Sequence, residues 1–117
     1  MDIEYPRFGT VVIDGKRYDH DVILERGSVT KRDKSPSKSL KGRHGHTPLS
    51  ADETIPWSNP TLVIGTGYSG RLPVLPEVGD EAKRRSVELV VTPTAEAVAV
   101  LRDSAESDIN AILHVTC

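Results

Sequence analysis

Three stretches of this chain pair an apolar run with groups suited to chemistry. Leu62-Val63-Ile64 runs into Gly65-Thr66-Gly67, Val87-Glu88-Leu89-Val90-Val91 into Thr92-Pro93-Thr94, and Ala111-Ile112-Leu113-His114-Val115 into Thr116-Cys117. Glycines at a strand end let backbone N–H groups approach a ligand, and such groups take anions. Thr94 falls where a helix starts, and the positive end of a helix favours negative charge. His114 adds a proton-dependent term if its ring faces the same edge. Gly65, Thr66, Gly67, Thr94 and His114 are therefore the candidate anion crevice, suited to phosphate, sulfate or carboxylate. Cys117 and His114 have the types of a nucleophile and its base. Three residues apart on one strand they point to opposite faces, so they pair only if the strand ends early.

Other chemistry is disfavoured. Gly65-Thr66-Gly67-Tyr68-Ser69-Gly70 has the spacing of a dinucleotide loop, but Arg71-Leu72-Pro73-Val74-Leu75-Pro76 follows where a helix should open. The acidic residue expected after the next strand is replaced by Val91 and Thr92, so no nucleotide cofactor is expected. His44-Gly45-His46 resembles a pair of metal ligands, yet zinc needs three or four and the chain has a single cysteine, so no metal is expected. His20 is read as a packing residue on a half-buried strand, and no catalytic residue is assigned.

The stretch from Lys31 to His46 holds Lys31, Arg32, Lys34, Lys38, Lys41 and Arg43 against Asp33 alone. Its local charge is +5, the remainder carries -7, and the whole chain is -2. One reading is an arm that docks on phosphates or on an acidic protein face; the other is a solvated, mobile loop over residues 33–43. No aromatics are interleaved to stack bases, so nucleic acid is disfavoured as a partner.

The elements that must position these groups are legible in the pattern. Phe8 to Ile13 reads as a strand, Asp14-Gly15 as a two-residue hairpin turn, and Arg17 to Leu24 as the return strand, with Tyr18, His20, Val22 and Leu24 on one face. Arg26-Gly27 turns again, and Ser28 to Arg32 adds a short strand to the meander. Ser50 and Glu53 have capping-box spacing and predict a helix start that Pro56 and Asn59-Pro60 stop within a turn or two, with Trp57 plugging the core edge. A helix begins near Pro76, with Glu77 and Asp80 at its positive end and Lys83, Arg84 and Arg85 at its negative end. A second begins with Thr92 or Thr94 as cap and runs to about Ser107, burying Val98, Leu101 and Ala105 with support from Ala97. The strands at 61–65, 87–91 and 111–116 should lie parallel in one sheet. The fold class expected is α/β: a single three-layer domain over residues 1–117. It has a central mixed sheet, a parallel β-α-β-α-β carboxyl-terminal half, and an amino-terminal hairpin or meander packed alongside.

A chain of 117 residues, 37% hydrophobic, can bury one modest core, largely aliphatic because aromatics are few. No apolar run approaches the ~20 residues of a membrane span, and the opening Met1-Asp2-Ile3-Glu4-Tyr5-Pro6 lacks the basic and apolar regions of a secretory signal. With the lone Cys117, the expectation is a cytoplasmic protein.

Gly65-x-Gly67 after an apolar strand, Pro93-Thr94-x-Glu96-Ala97 opening a helix, and the terminal Ile112-Leu113-His114-Val115-Thr116-Cys117 carry a family likeness. The Phe8-Gly9 strand, the Val29 strand and Gly42 to His46 also fit. The chain resembles the small α/β family of unknown function that includes the adipogenesis-associated domain protein and the mitochondrial complex I assembly factor three. The resemblance implies a compact domain with a central mixed sheet, helices on one side and extra strands on the other. It implies a role in assembly or regulation, and brings no catalytic residues. The chain departs from it between His46 and Leu62, where Pro56 and Pro60 shorten a helix that many relatives have longer. The function expected is thus a non-enzymatic interaction or assembly protein with an anion-receptive crevice, a protein partner and a small anion as ligand. The alternative is a small enzyme or small-molecule binder using the same crevice.

Overall fold

Leu62, Val63 and Ile64 are fully buried at the centre of a strand that is covered on both faces and paired on both edges. That is why the stretch is apolar at successive positions and not at alternate ones. The structure, a computed structural model, describes residues 1–41 and 46–117. Its strands are β1 Ile3–Arg7, β2 Thr10–Ile13, β3 Lys16–Tyr18, β4 Val22–Glu25, β5 Ser28–Lys31, β6 Thr61–Thr66, β7 Glu88–Thr92 and β8 Ile109–His114. Helix α1 spans Pro76–Arg84, helix α2 spans Thr94–Arg102, and a 3-10 helix spans Ser35–Leu40. Strands β1–β3 form an antiparallel sheet; the other five form a mixed sheet in the order β5-β4-β8-β6-β7.

The three carboxyl-terminal strands are parallel as expected, with β6 between β7 and β8: Val63 lies opposite Val90 on one side and Ala111 on the other. Strand β4 joins antiparallel to β8, and β5 pairs with β4. Asp14 and Gly15 both have positive φ, 51° and 80°, as a two-residue hairpin turn of this hand requires.

Side chains alternate across the mixed sheet and build two cores. Val22, Leu24, Val63, Ala111 and Leu113 pack with Ala97, Val98 and Leu101 of α2 and with Ile3, Val11 and Ile13 of the three-stranded sheet. Ile23, Leu62, Ile64 and Ile112 pack on the opposite face with Val78 of α1, Leu49, Ile55 and Leu72. The helices are therefore divided between the faces, and α2 shares its face with the extra strands, unlike the one-sided arrangement the resemblance implied.

Five local expectations are corrected. The strand read from Arg17 to Leu24 breaks between β3 and β4, which belong to different sheets, and β1 precedes the strand read from Phe8. Residues Ser50 to Glu53 form a turn, not a helix: the Glu53 carboxylate is drawn to Arg32, and Ser50 Oγ to Ser37 Oγ at 2.7 Å. Helix α2 ends at Arg102, leaving Ala105 exposed. Neither candidate threonine caps it: Pro93 is the cap residue, Thr92 Oγ1 donates to Glu96, and Thr94 is turned inward. Finally, the basic stretch is not all solvated loop, because Ser35–Leu40 is helical and Arg32 and Ser37 are buried. Arg43 and His44 lie outside the described residues. Among the described residues, no helix is long and apolar enough to cross a membrane.

Candidate functional site

The glycine loop and Thr94 do meet, but chiefly with one another. A side chain at Gly65 would come within 2.9 Å of Thr94 Oγ1 and 3.1 Å of its Cα, so glycine lets α2 seat on the end of β6. Fully buried Thr94 accepts the Gly67 N–H at 2.8 Å and donates its hydroxyl to the His114 carbonyl at 2.6 Å. Its own N–H donates to Gly67 O at 3.0 Å. One threonine thus ties β6, β8 and α2 together. The N–H groups of Tyr68 and Arg71 donate to Thr116 O and Cys117 O at 2.7 and 3.0 Å, and that of Gly70 to Gly67 O at 3.3 Å. Gly67 has φ +106°, and a Cβ there would collide with the Cys117 backbone. The donors that the sequence offers to an anion close the sheet edge, and Thr66 beside them is buried.

His114 belongs to the same strand edge but points away from this loop, on the face of Ile112. Its side chain is 10% exposed, with Nδ1 2.9 Å from Asp21 Oδ2 and Nε2 3.3 Å from Thr116 Oγ1. Asp21 precedes β4, which runs antiparallel to β8, so the break before β4 delivers this carboxylate to the end of β8. Its other oxygen accepts the Val115 N–H at 3.0 Å, and Arg32 Nη1 donates to Oδ2 at 3.0 Å. Burial works against the charge of Asp21, but the bond and charge of His114, then Val115 and Arg32, outweigh it and hold the carboxyl at about 2. An ionised Asp21 only accepts, so His114 Nδ1 is assigned a proton and donates to it, with Nε2 toward Thr116.

Arg32 anchors the floor of the site. It forms a two-pronged bond to Glu53 at 2.7 and 2.9 Å, reaches Asp21, and donates to Pro48 O at 3.2 Å. Glu53 also accepts from Ser37 Oγ at 2.6 Å, so the 3-10 helix, the turn at 50–53 and the end of β5 converge on one guanidinium. Burial opposes its charge, and Glu53 and then Asp21 more than offset that. Arg32, read from sequence as part of the basic surface, is instead a neutralised interior residue.

Above this floor lies a pocket lined by Lys34, Lys41, His46, Thr47, His114 and Thr116. The segment carrying His46 and Thr47 is pinned because Leu49 bonds to Pro73 and Leu75 across a parallel bridge. A neighbouring hollow shares Lys34 and Thr116 and adds Lys31, Arg32, His20 and Asp21. Lys38 lines a third with Lys31, Lys34 and Ser35. The basic stretch therefore folds over the end of β8. Asp21, the carboxylate nearest His114, already shares Arg32, so the first pocket offers ammonium groups, imidazoles and hydroxyls. That set suits an anion. Thr116 was among the polar groups expected at the strand edge and His46 was weighed only as a metal ligand, but Asp21 was not assigned to a site from sequence; its one local signal was a polar Asp19-His20-Asp21 interrupting an otherwise strand-like run.

A mixed α/β protein with a basic pocket at the end of a central strand is the class these features define. Across its whole length the chain is 34% identical to the conserved hypothetical protein PH1505 from Pyrococcus horikoshii OT3, whose entire solved chain it covers, with a TM-score of 0.78. It belongs to the family of that protein. A second solved structure, MT938, is 26% identical over 95% of this chain and 94% of its own, with a TM-score of 0.70. No protein-family model matches the chain. No curated protein matches it either.

Proposed function

We propose that this chain is a non-enzymatic binding protein that takes a small anion, or the anionic group of a protein partner, in the pocket between the basic stretch and the end of β8. The observation that carries the reading is the convergence of Lys34 and Lys41 on His114, a buried imidazole oriented by Asp21. Lysines that served only solubility would have no reason to gather over an oriented ring. The anion is thereby assigned to the His114 end of the edge, since the glycine-loop donors of Gly67, Tyr68, Gly70 and Arg71 are engaged within the chain. The resemblance to a family with an assembly factor supports a protein partner as the source of the anionic group. The lone Cys117 supports a cytoplasmic setting.

Calorimetric titration with inorganic phosphate tests this. Replacing Lys34 and Lys41 together by Ala should weaken binding at least about fivefold, since each ammonium contributes a charge-assisted contact. Equal affinity in the variant would contradict the reading.

A second reading, a small enzyme, is favoured by one observation: the Asp21–His114 pair has the form of a carboxylate holding a general base. Turnover of simple phosphate and carboxylate esters that disappears in His114→Ala would support it, and turnover unchanged in that variant would remove it.

A further inference from the structure

Against residues 115–116 lies a cluster of three aromatic rings, two of them exposed. Phe8 and Tyr68 are 53% and 63% exposed, yet their rings meet edge to face at 6.1 Å, and Tyr5 lies 6.5 Å from Tyr68. In a chain with one Phe, one Trp and three Tyr, three of the five rings gather on this patch. Single exposed apolar side chains are ordinary; a contiguous aromatic group marks a contact surface.

The patch is tied to the wall of the pocket. Tyr5 donates its hydroxyl to Val115 O at 2.6 Å, and burial keeps that hydroxyl protonated by pushing it up. Gly9, next to Phe8, donates its N–H to the same carbonyl at 2.7 Å, and Tyr68 donates its N–H to Thr116 O at 2.7 Å. Thr116 in turn lines the basic pocket, with its hydroxyl beside His114. Residues 115–116 therefore join the two features: their carbonyls hold Tyr5, Gly9 and Tyr68, and the Thr116 side chain lines the pocket with Lys34 and His114.

Resting on the anion-binding reading above, we propose that the ligand is an anionic small molecule bearing a planar ring, of the mononucleotide class. Its phosphate sits in the pocket among Lys34, His114 and Thr116, its ring packs on Tyr68 and Phe8, and a sugar-length spacer joins the two. Stacking on an aromatic side chain is sequence-tolerant and adds to a phosphate contact without needing a dedicated base pocket.

Titration with adenosine 5′-monophosphate, ribose 5-phosphate and inorganic phosphate separates the two claims. The nucleotide should bind about tenfold tighter than ribose 5-phosphate, and the gain should vanish in Phe8→Ala/Tyr68→Ala, which keeps its phosphate affinity. Phosphate binding with no gain from the ring, or a gain that survives in the double variant, would overturn this inference and leave the anion site standing. Failure of all three ligands to bind would overturn both.

Discussion

Arg32 faces two carboxylates, and neither can lose it cheaply. With the guanidinium gone, Glu53 and Asp21 would share an interior with too little positive charge. Arg32→Ala should therefore lower stability by about 3–5 kcal/mol, the usual range for stranding a buried charge. Arg32→Lys should recover only part, because an ammonium cannot make the two-pronged bond to Glu53. Denaturant midpoints would check both, and a loss under about 1 kcal/mol in Arg32→Ala would contradict the account. Asp21 gives a pH dependence whose sign follows from its depressed carboxyl. Held at about 2 when folded against an ordinary value near 4, it contributes stability that is complete above about pH 4 and lost as pH falls toward about 2. The contribution is on the order of 2 kcal/mol. Asp21→Asn should flatten that part of the acid unfolding curve, and an unchanged curve would show that Asp21 is not the group responsible. Little of this was readable in advance. Arg32 sits in a run of cations that reads as a solvated surface, and its partners are 11 and 21 residues away in sequence, a spacing that carries no local signal.

At the level of elements, the strand–glycine–helix junction does the joining. The apolar runs predicted β6, β7 and β8 and their parallel order, because fully buried strands cannot hide their composition. The Pro76 helix was equally legible from its proline start and its charges. The Ser50–Glu53 turn was not, since a capping box describes a local bond and here a distant arginine competes for the glutamate. Nor was the break at Asp19–Asp21, where alternation alone cannot tell one long strand from two in different sheets. Glycine and threonine types marked the strand edge where the junction lies, but types do not tell whether donors face a ligand or each other. Thr94→Val tests the junction. It removes the acceptor for Gly67 N–H and the donor to His114 O, both buried, and should cost about 2–4 kcal/mol, while Thr94→Ser should keep most of the stability. Equal melting temperatures for Thr94→Val and the parent would contradict it.

Over the whole molecule, a net charge of -2 conceals a basic lobe set against an acidic remainder. The fold gives that division a place. Antiparallel β4 and β5 carry the chain from Asp21 out and back to Arg32, and Lys34 and Lys41, at the two ends of the 3-10 helix, then line the pocket at the end of β8, with Lys38 in a hollow beside Lys31 and Lys34. The exposed lysines contribute little to stability, since exposed substitutions usually shift it by under about 0.5 kcal/mol. Their proposed role is the field they make over His114, which salt should screen. The central claim is that an anion enters this pocket and not the glycine loop. Amide shifts of the isotopically labelled protein, followed during a phosphate titration at low salt, test it most directly. The account predicts shifts clustered at Lys34, Lys41, His46, Thr47 and 114–116, fading as salt is raised. Shifts confined to 65–70 and 92–96, or none at all, would contradict it.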